Sequence, residues 1–310
     1  MSHFLTKLWP QSAVQSVAIG ASGAAWITRG SVQKPQLQAM HWPEQTSLTQ
    51  AIDSVLNRLS LSRSNNVQWN AAPSLLKHWL QQAPDQIQSL NELHAVSVQR
   101  AQQLFGSISA PGFTLQSSSW VVSANWDASQ AFLSAAIPEG WNAALAECID
   151  RKNTTSLNIS AYITSPLQLI LASFQKQLPS NGWLAIAVAN TLYLMYFKSK
   201  ACQHFRSLQL KAGLGTEEIQ AIALVEWQRD MLRTQQKSDQ LLWLCMLPIG
   251  SSANVNSVFL KPLQWHSTNA SSLLDMTGKD VSFTQMDSPS ALSEVKLAAW
   301  CAFQCAENQR

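Results

Sequence analysis

A chain of 310 residues that is 46% hydrophobic but only 13% charged carries about half the charge of a typical soluble domain. That excludes a disordered protein, which needs low hydrophobicity and high net charge, and 11 Gly with 12 Pro exclude a collagen-like or linker-dominated chain. Lys plus Arg is 21 and Asp plus Glu is 18, so the net charge is only +3. The densest basic cluster is Lys198, Lys200, His204 and Arg206, well short of the concentrated basic face that nucleic acid requires.

In chain order, Val14 to Ile19, Ala24 to Thr28 and Gln36 to Trp42 read as three strands joined by Gly20-Ala21-Ser22-Gly23 and Arg29-Gly30, an antiparallel meander. Ser47 to Leu61 follows as a helix, because Leu48, Ile52, Val55, Leu56 and Leu59 recur at helical spacing. Asn66 to Ala71 is extended, Pro73 opens a short helix through Leu80, and Asp85 to Leu104 is helical up to Gly106. Ser117 to Ala124 and Gln130 to Ala136 read as two strands able to pair, Pro138 to Ile149 as a helix, Ser156 to Ile163 as a strand, and Pro166 to Phe174 as an apolar helix. A second meander is predicted at Trp183 to Ala189, Thr191 to Phe197 and Ala201 to Leu210. It precedes a helix at Thr216 to Gln235, with Thr216 as N-cap and Glu217-Glu218 in its first turn. Leu241 to Leu247 is a buried strand, Val255 to Leu263 and Val281 to Gln285 are late strands, and Ala291 to Glu307 closes the chain as a helix. Two halves that each open with a three-strand meander point to duplication of an α/β unit.

The five cysteines, Cys148, Cys202, Cys245, Cys301 and Cys305, are odd in number and unpaired in spacing, so they read as small buried apolar residues and not as a disulfide framework. The first ten residues show no charged segment followed by an apolar stretch, which predicts no leader. The longest apolar run, Trp183 to Phe197, is interrupted by Asn190-Thr191 and is too short to span a bilayer as a helix. These features predict a cytoplasmic protein.

Few motifs carry chemistry. Gly20-Ala21-Ser22-Gly23 misses the spacing of a nucleophile elbow and the Gly-Lys-Ser/Thr ending of a phosphate loop, so it reads as a tight turn. The six histidines are scattered without zinc-binding spacing. Glu226 and Asp230 are i,i+4 on one helix and are expected to face solvent, so no carboxylate pair is marked for acid–base work.

The order of elements resembles the actin-like ATPases, and within them the actin-like pilus assembly proteins of PilM type. Ser16 to Trp26 resembles the first phosphate meander, Ala135 to Leu210 a strand, two Pro-led helices and the second phosphate meander, and Ala291 to Gln304 the closing Ala-rich helix. The resemblance implies an α/β fold, actin-like and ribonuclease H-like, with duplicated mixed-sheet domains and a small inserted α+β subdomain. Residues 1–66 would begin the first lobe, 67–136 form the insert, and 137–310 complete the first lobe and supply the second. It places a nucleotide cleft at Gly20, Ser22, Asn190 and Gly250, and the departures there are informative. Where active members carry Asp-x-Gly, this chain has Ala18-Ile19-Gly20 and Val188-Ala189-Asn190; Ala25 stands at the basic position, and Leu247-Pro248-Ile249-Gly250-Ser251 replaces a Gly-Gly turn.

Without a carboxylate for Mg²⁺ or a Lys for phosphate, the expectation is a pseudo-ATPase with no catalytic residues, no metal and no cofactor. ATP and Mg²⁺ enter only if that reading of the cleft is wrong. The resemblance implies an adaptor in type IV pilus biogenesis, peripheral at the inner membrane. It would bind the N-terminal peptide of an inner-membrane pilus assembly protein in a groove beside the insert, with an assembly ATPase as a further partner, no nucleic acid and no membrane span of its own. The competing expectations are an active actin-like ATPase or sugar-kinase-like enzyme, a type II secretion platform component related to the GspL cytoplasmic domain, and an α/β hydrolase acting through Ser22.

Overall fold

The computed structural model describes residues 14–28, 36–43, 46–59, 66–82, 89–105, 109–110, 113–114, 117–122, 131–152, 158–173, 178–211, 213–236, 241–246, 282–283, 294–299 and 302. Strands β1 (Val14–Ile19), β2 (Gly23–Thr28) and β3 (Gln36–His41) form the first antiparallel meander. Helix α1 (Leu48–Arg58) starts from a reciprocal cap, with Ser47 Oγ accepting from the Gln50 amide at 3.3 Å and Gln50 Oε1 accepting from the Ser47 amide at 3.2 Å. Strand β4 (Asn66–Ala71) then pairs parallel to β1.

The insert follows as β5 (Lys77–Gln82), α2 (Leu90–Phe105), a small hairpin of β6 (Ser109–Ala110) and β7 (Phe113–Thr114), then β8 (Ser117–Val122) and β9 (Ala131–Pro138). Its antiparallel sheet has the order β5-β9-β8. Helix α3 (Glu139–Arg151) leads to β10 (Asn158–Thr164), which pairs parallel to β4, and α4 (Pro166–Ser173) ends this half.

The second half repeats the plan. Strands β11 (Asn181–Val188), β12 (Thr191–Lys198) and β13 (Ala201–Gln209) form a meander, helix α5 (Thr216–Thr234) follows, and β14 (Leu241–Met246) returns parallel to β11. Strand β15 (Ser282–Phe283) adds to the outer edge of β3.

The strand orders are β10-β4-β1-β2-β3-β15 and β13-β12-β11-β14. In each sheet the meander's first strand is central, its second and third lie on one side, and the strand after the helix lies on the other. That order, with the second strand reversed, is the ribonuclease H-like arrangement; duplicated and with an insert, it is the actin-like fold.

Alternation along the strands puts different side chains on the two faces. Val17, Ile19, Trp26, Val67, Trp69 and Ile163 pack against α1 and α3 through Ile52, Val55, Leu56, Trp141 and Leu145. Ala18, Ala25, Ile27 and Leu37 face the other way, onto Val295, Ala298 and Ala299 of helical residues 294–299. In the second sheet, Trp183, Ala185, Ala187, Leu192 and Leu194 pack on α5, whereas Leu184, Ile186, Val188, Tyr193 and Met195 pack on α4. Helix α4 therefore ends the first half by chain but covers the second sheet, and residues 294–299 follow the second half but cover the first. Trp26, Trp69, Trp141 and Trp183 are each at most 1% exposed. A Trp buries 150–250 Å², so each contributes roughly 4–6 kcal/mol before ordering costs.

Three expectations are corrected here. Residues 73–80 are not a helix: Pro73–Leu75 is a single 3-10 turn, Leu76 is extended, and Lys77–Gln82 pair residue for residue with Gln82↔Ala131 through Lys77↔Ala136. The central strand of the insert needs a neighbour on that side, and this outweighs the start signal of Pro73. The N-cap of α5 is Gly215, whose amide donates to Glu218 Oε2 at 2.8 Å, and not Thr216. The boundary drawn at 67 falls within β4, whose residues 66–71 pair with β1 and β10 in the first sheet, so the insert's sheet starts at Lys77 and ends at Pro138. The reading of Val255 to Leu263 as a strand and the pair Cys301 and Cys305 lie outside the described residues. No helix among the described residues is long and apolar enough to cross a membrane.

Candidate functional site

Gly20 and Ser22 lie in the β1–β2 turn. The Gly20 amide donates to the Gly23 carbonyl at 2.8 Å, and Trp42 pins the turn from outside, its indole N–H to the Ala21 carbonyl at 3.0 Å and its amide to the Ser22 carbonyl at 3.1 Å. Asn190 lies in the equivalent β11–β12 turn, where Ala189 has φ 51° and the Asn190 carbonyl accepts from Leu210 at 2.7 Å. A left-handed backbone at an alanine costs roughly 1–2 kcal/mol, so this turn is held by its flanking ladder and not by its residue type. Gly250 lies outside the described residues.

Helical residues 294–299 stand over both hairpins. Val295, Ala298 and Ala299 pack with Ala18 and Ala25, while Leu297 and Ala302 join the core that holds Val188 and Ala189. A methyl group placed on Gly20 would fall 2.5 Å from Val295 Cγ1, so the glycine admits a helix of the same chain. The Glu294 carboxylate clamps the start of this helix, accepting from the Ser74 amide at 2.6 Å and from Ser74 Oγ at 2.8 Å.

Two consequences follow. The side chains at the two positions where the resemblance implies a metal carboxylate, Ala18 and Val188, are 0% and 1% exposed and apolar, so these two positions offer no ligand that fits Mg²⁺. Gly20→Ala is also expected to destabilise the fold by about 1–3 kcal/mol through overpacking; adding Val295→Ala recovers most of the loss, as read by chemical denaturation.

Beside Ala18 the sheet carries a buried neutral network that the sequence did not signal. Asn70 Nδ2 donates to Ser16 Oγ and to the Val17 carbonyl, both at 3.2 Å, and the single proton of Thr164 Oγ1 lies between Asn70 Oδ1 at 2.6 Å and the Trp69 carbonyl at 3.0 Å. Asn70 and Ser16 are fully buried. Their polar atoms satisfy one another in a dry site, which strengthens the hairpin without offering charge to a ligand.

The insert is joined to the second lobe through His78. Its Nε2 lies 2.8 Å from Ser165 Oγ, its ring meets Tyr193 edge-on at 5.2 Å, and Phe205 lies at 6.2 Å. Burial pushes the His78 pKa down to about 3 and the Tyr193 hydroxyl above its usual range. Next to this junction, a groove of about 490 Å³ is walled by Leu80, Gln81 and Gln82 of β5, by Val96, Gln99, Arg100 and Gln103 of α2, by Ala131, and by Gln203 of β13. Five amides and one guanidinium line it, and β5 and β13 are both edge strands.

A second polar cluster lies away from the hairpins and corrects the expectation that Glu226 and Asp230 face solvent. The Asp230 side chain is 1% exposed and accepts from Arg206 Nε at 2.9 Å, with His204 Nε2 at 3.3 Å; Arg206 also reaches Glu226 at 2.5 Å. The hydrogen bond from Arg206 holds the Glu226 carboxyl below its usual range. The helical face that carries Ile219, Ala223 and Trp227 into the core carries Asp230 with it, and the basic residues of β13 supply its counter-charge. Burial raises the thiols of Cys148 and Cys202 to about 11 and about 12, so neither is a nucleophile at neutral pH.

No protein-family model matches this chain, and no curated protein does. Among solved structures, a Bacteroides thetaiotaomicron protein with an actin-like ATPase fold and unknown function aligns over 76% of this chain and 82% of its own, with 10% identity and a TM-score of 0.45. A chain of the PilM-PilN type IV pilus biogenesis complex aligns over 76% and 82%, with 14% identity and a TM-score of 0.44. The Aquifex aeolicus PPX-GPPA enzyme aligns over 78% and 69%, with 9% identity and a TM-score of 0.27.

Proposed function

We propose that this chain is an actin-like pseudo-ATPase that acts as a scaffold in type IV pilus biogenesis, held at the inner membrane by a short peptide of a pilus assembly protein. The observation that carries this reading is the occupation of the hairpin tips by the chain itself, with Val295 against Gly20 and apolar residues at positions 18 and 188. A nucleotide triphosphate needs cations and aligned donors for its phosphates. These positions supply aliphatic contacts. The sequence resemblance to pilus assembly proteins of PilM type supports the scaffold role. The groove beside the insert supports the peptide, because amide side chains pair with extended backbone, Arg100 pairs with a carboxylate, and an edge strand accepts an added strand.

Titration with labelled ATP and Mg²⁺ is expected to show no saturation into the millimolar range, and micromolar affinity would overturn the pseudo-ATPase reading. Labelled N-terminal peptides of inner-membrane pilus assembly proteins are expected to bind. Arg100→Glu weakens that binding at least about tenfold, or about 1.4 kcal/mol, with no change in the melting transition. Peptide binding untouched by Arg100→Glu removes the groove from the reading.

A further inference from the structure

On α5 the buried residues Ile219, Ala223, Trp227 and Asp230 define one face. The opposite face carries Ala221, Val225, Gln228 and Leu232 at spacings of four, three and four, the seam spacing of paired helices. Val225 is 53% exposed and Leu232 82%, the latter nearly as open as in an unfolded chain.

Charge along the helix decides what fits this seam. At about 100° per residue, Glu218, Arg229 and Arg233 lie on the same flank of the seam, with the acid in the first turn and the bases in the last two. When two helices pair antiparallel about a two-fold axis, residues on the same flank face each other. A second copy turned end for end about Val225 therefore sets Glu218 opposite the basic end of its partner, on both sides of the axis. A parallel pairing would bring opposite flanks together, setting Glu218 against Glu217 of the partner and leaving Arg229 and Arg233 without an acid to meet. Arg229 and Arg233 keep 52% and 62% of their side-chain surface exposed, so they can reach across while still beside Glu226 and Asp230. Leu232 falls at the level of Glu218 of the facing helix, about one turn from Ala221, and packs along the seam beside that side chain's stem.

We infer that this face of α5 is an isologous dimer surface, in which two copies of the chain pair antiparallel through Val225 and Leu232. A single pair of helices about 28 Å long buries less surface than a standard stable interface, so the dimer is micromolar. Its affinity falls as salt screens the flanking charges. This inference is independent of the proposed pilus role and of the groove.

Sedimentation velocity of the full chain across the low to high micromolar range tests it. The expected result is a concentration-dependent monomer–dimer equilibrium, weakened by salt. Leu232→Glu and, separately, Arg233→Glu each raise the dissociation constant at least about tenfold, with circular dichroism and the melting transition of the monomer unchanged. Val225→Cys at the axis gives a covalent dimer on mild oxidation. Wild-type chain that stays monomeric through the high micromolar range overturns the inference. So does a dimer that survives Leu232→Glu unaltered, because its contact then lies elsewhere.

Discussion

Acidification is expected to unfold this protein by way of one buried histidine. His78 has a pKa near 3 in the folded state against 6.5 when free, because burial disfavours its charged form. Between those values the unfolded chain binds a proton that the folded chain refuses. Stability is therefore fully present above about pH 6.5 and falls with pH by about 1.4 kcal/mol per unit. The loss acts at a particular place: the ring sits between Ser165, Tyr193 and Phe205, where the insert meets α4 and the second lobe, so the charge appears in that seam. Chemical denaturation across a pH series reads the slope, and His78→Leu isolates the histidine from the carboxylates that also titrate. The variant is expected to be less stable at neutral pH, having lost the Ser165 contact, but flatter by about one proton below pH 6.5. Equal slopes for the two proteins sink the assignment.

The second large effect concerns the charge cluster between β13 and α5. Arg206→Leu leaves Asp230, fully buried, without its 2.9 Å partner, and unpaired buried charges cost more than the pair contributes. The expected destabilisation is about 3 kcal/mol. Arg206→Leu with Asp230→Leu is expected to recover most of the loss, because an apolar pair removes the orphaned carboxylate. A double-mutant cycle by urea denaturation checks this; additive single effects would show that the two residues act separately.

Both effects sit at places that pattern reading did not mark, for a common reason. His78 and Asp230 are ordinary polar residues in their own segments, and only the approach of another element makes them buried. The reading of Asp230 as solvent-facing follows from a helix whose charges recur at i,i+4. It fails because the wheel also carries Ile219, Ala223 and Trp227, and the basic residues of β13 neutralise what that face buries. The misread turn at Pro73 has the same origin: whether Lys77–Gln82 is a strand depends on β9, about fifty residues later. The groove likewise draws its walls from β5, α2, β9 and β13, which no local pattern joins.

What the amino-acid sequence determined by itself is the local grammar. Alternating apolar residues with tight turns set the two meanders, helical spacing set α1 and α5, and the residue types at positions 18, 20, 25, 188 and 190 are plain to read. Positions 18, 25 and 188 are uncharged Ala, Ala and Val, in keeping with the chain's low charge. The tertiary structure alone decided what those residues face. Helical residues 294–299 return across the first sheet and set Val295 against Gly20, a contact between positions 275 apart in the chain. Such contacts are decided by which apolar faces remain to be covered once the sheets have formed, a property of the whole core.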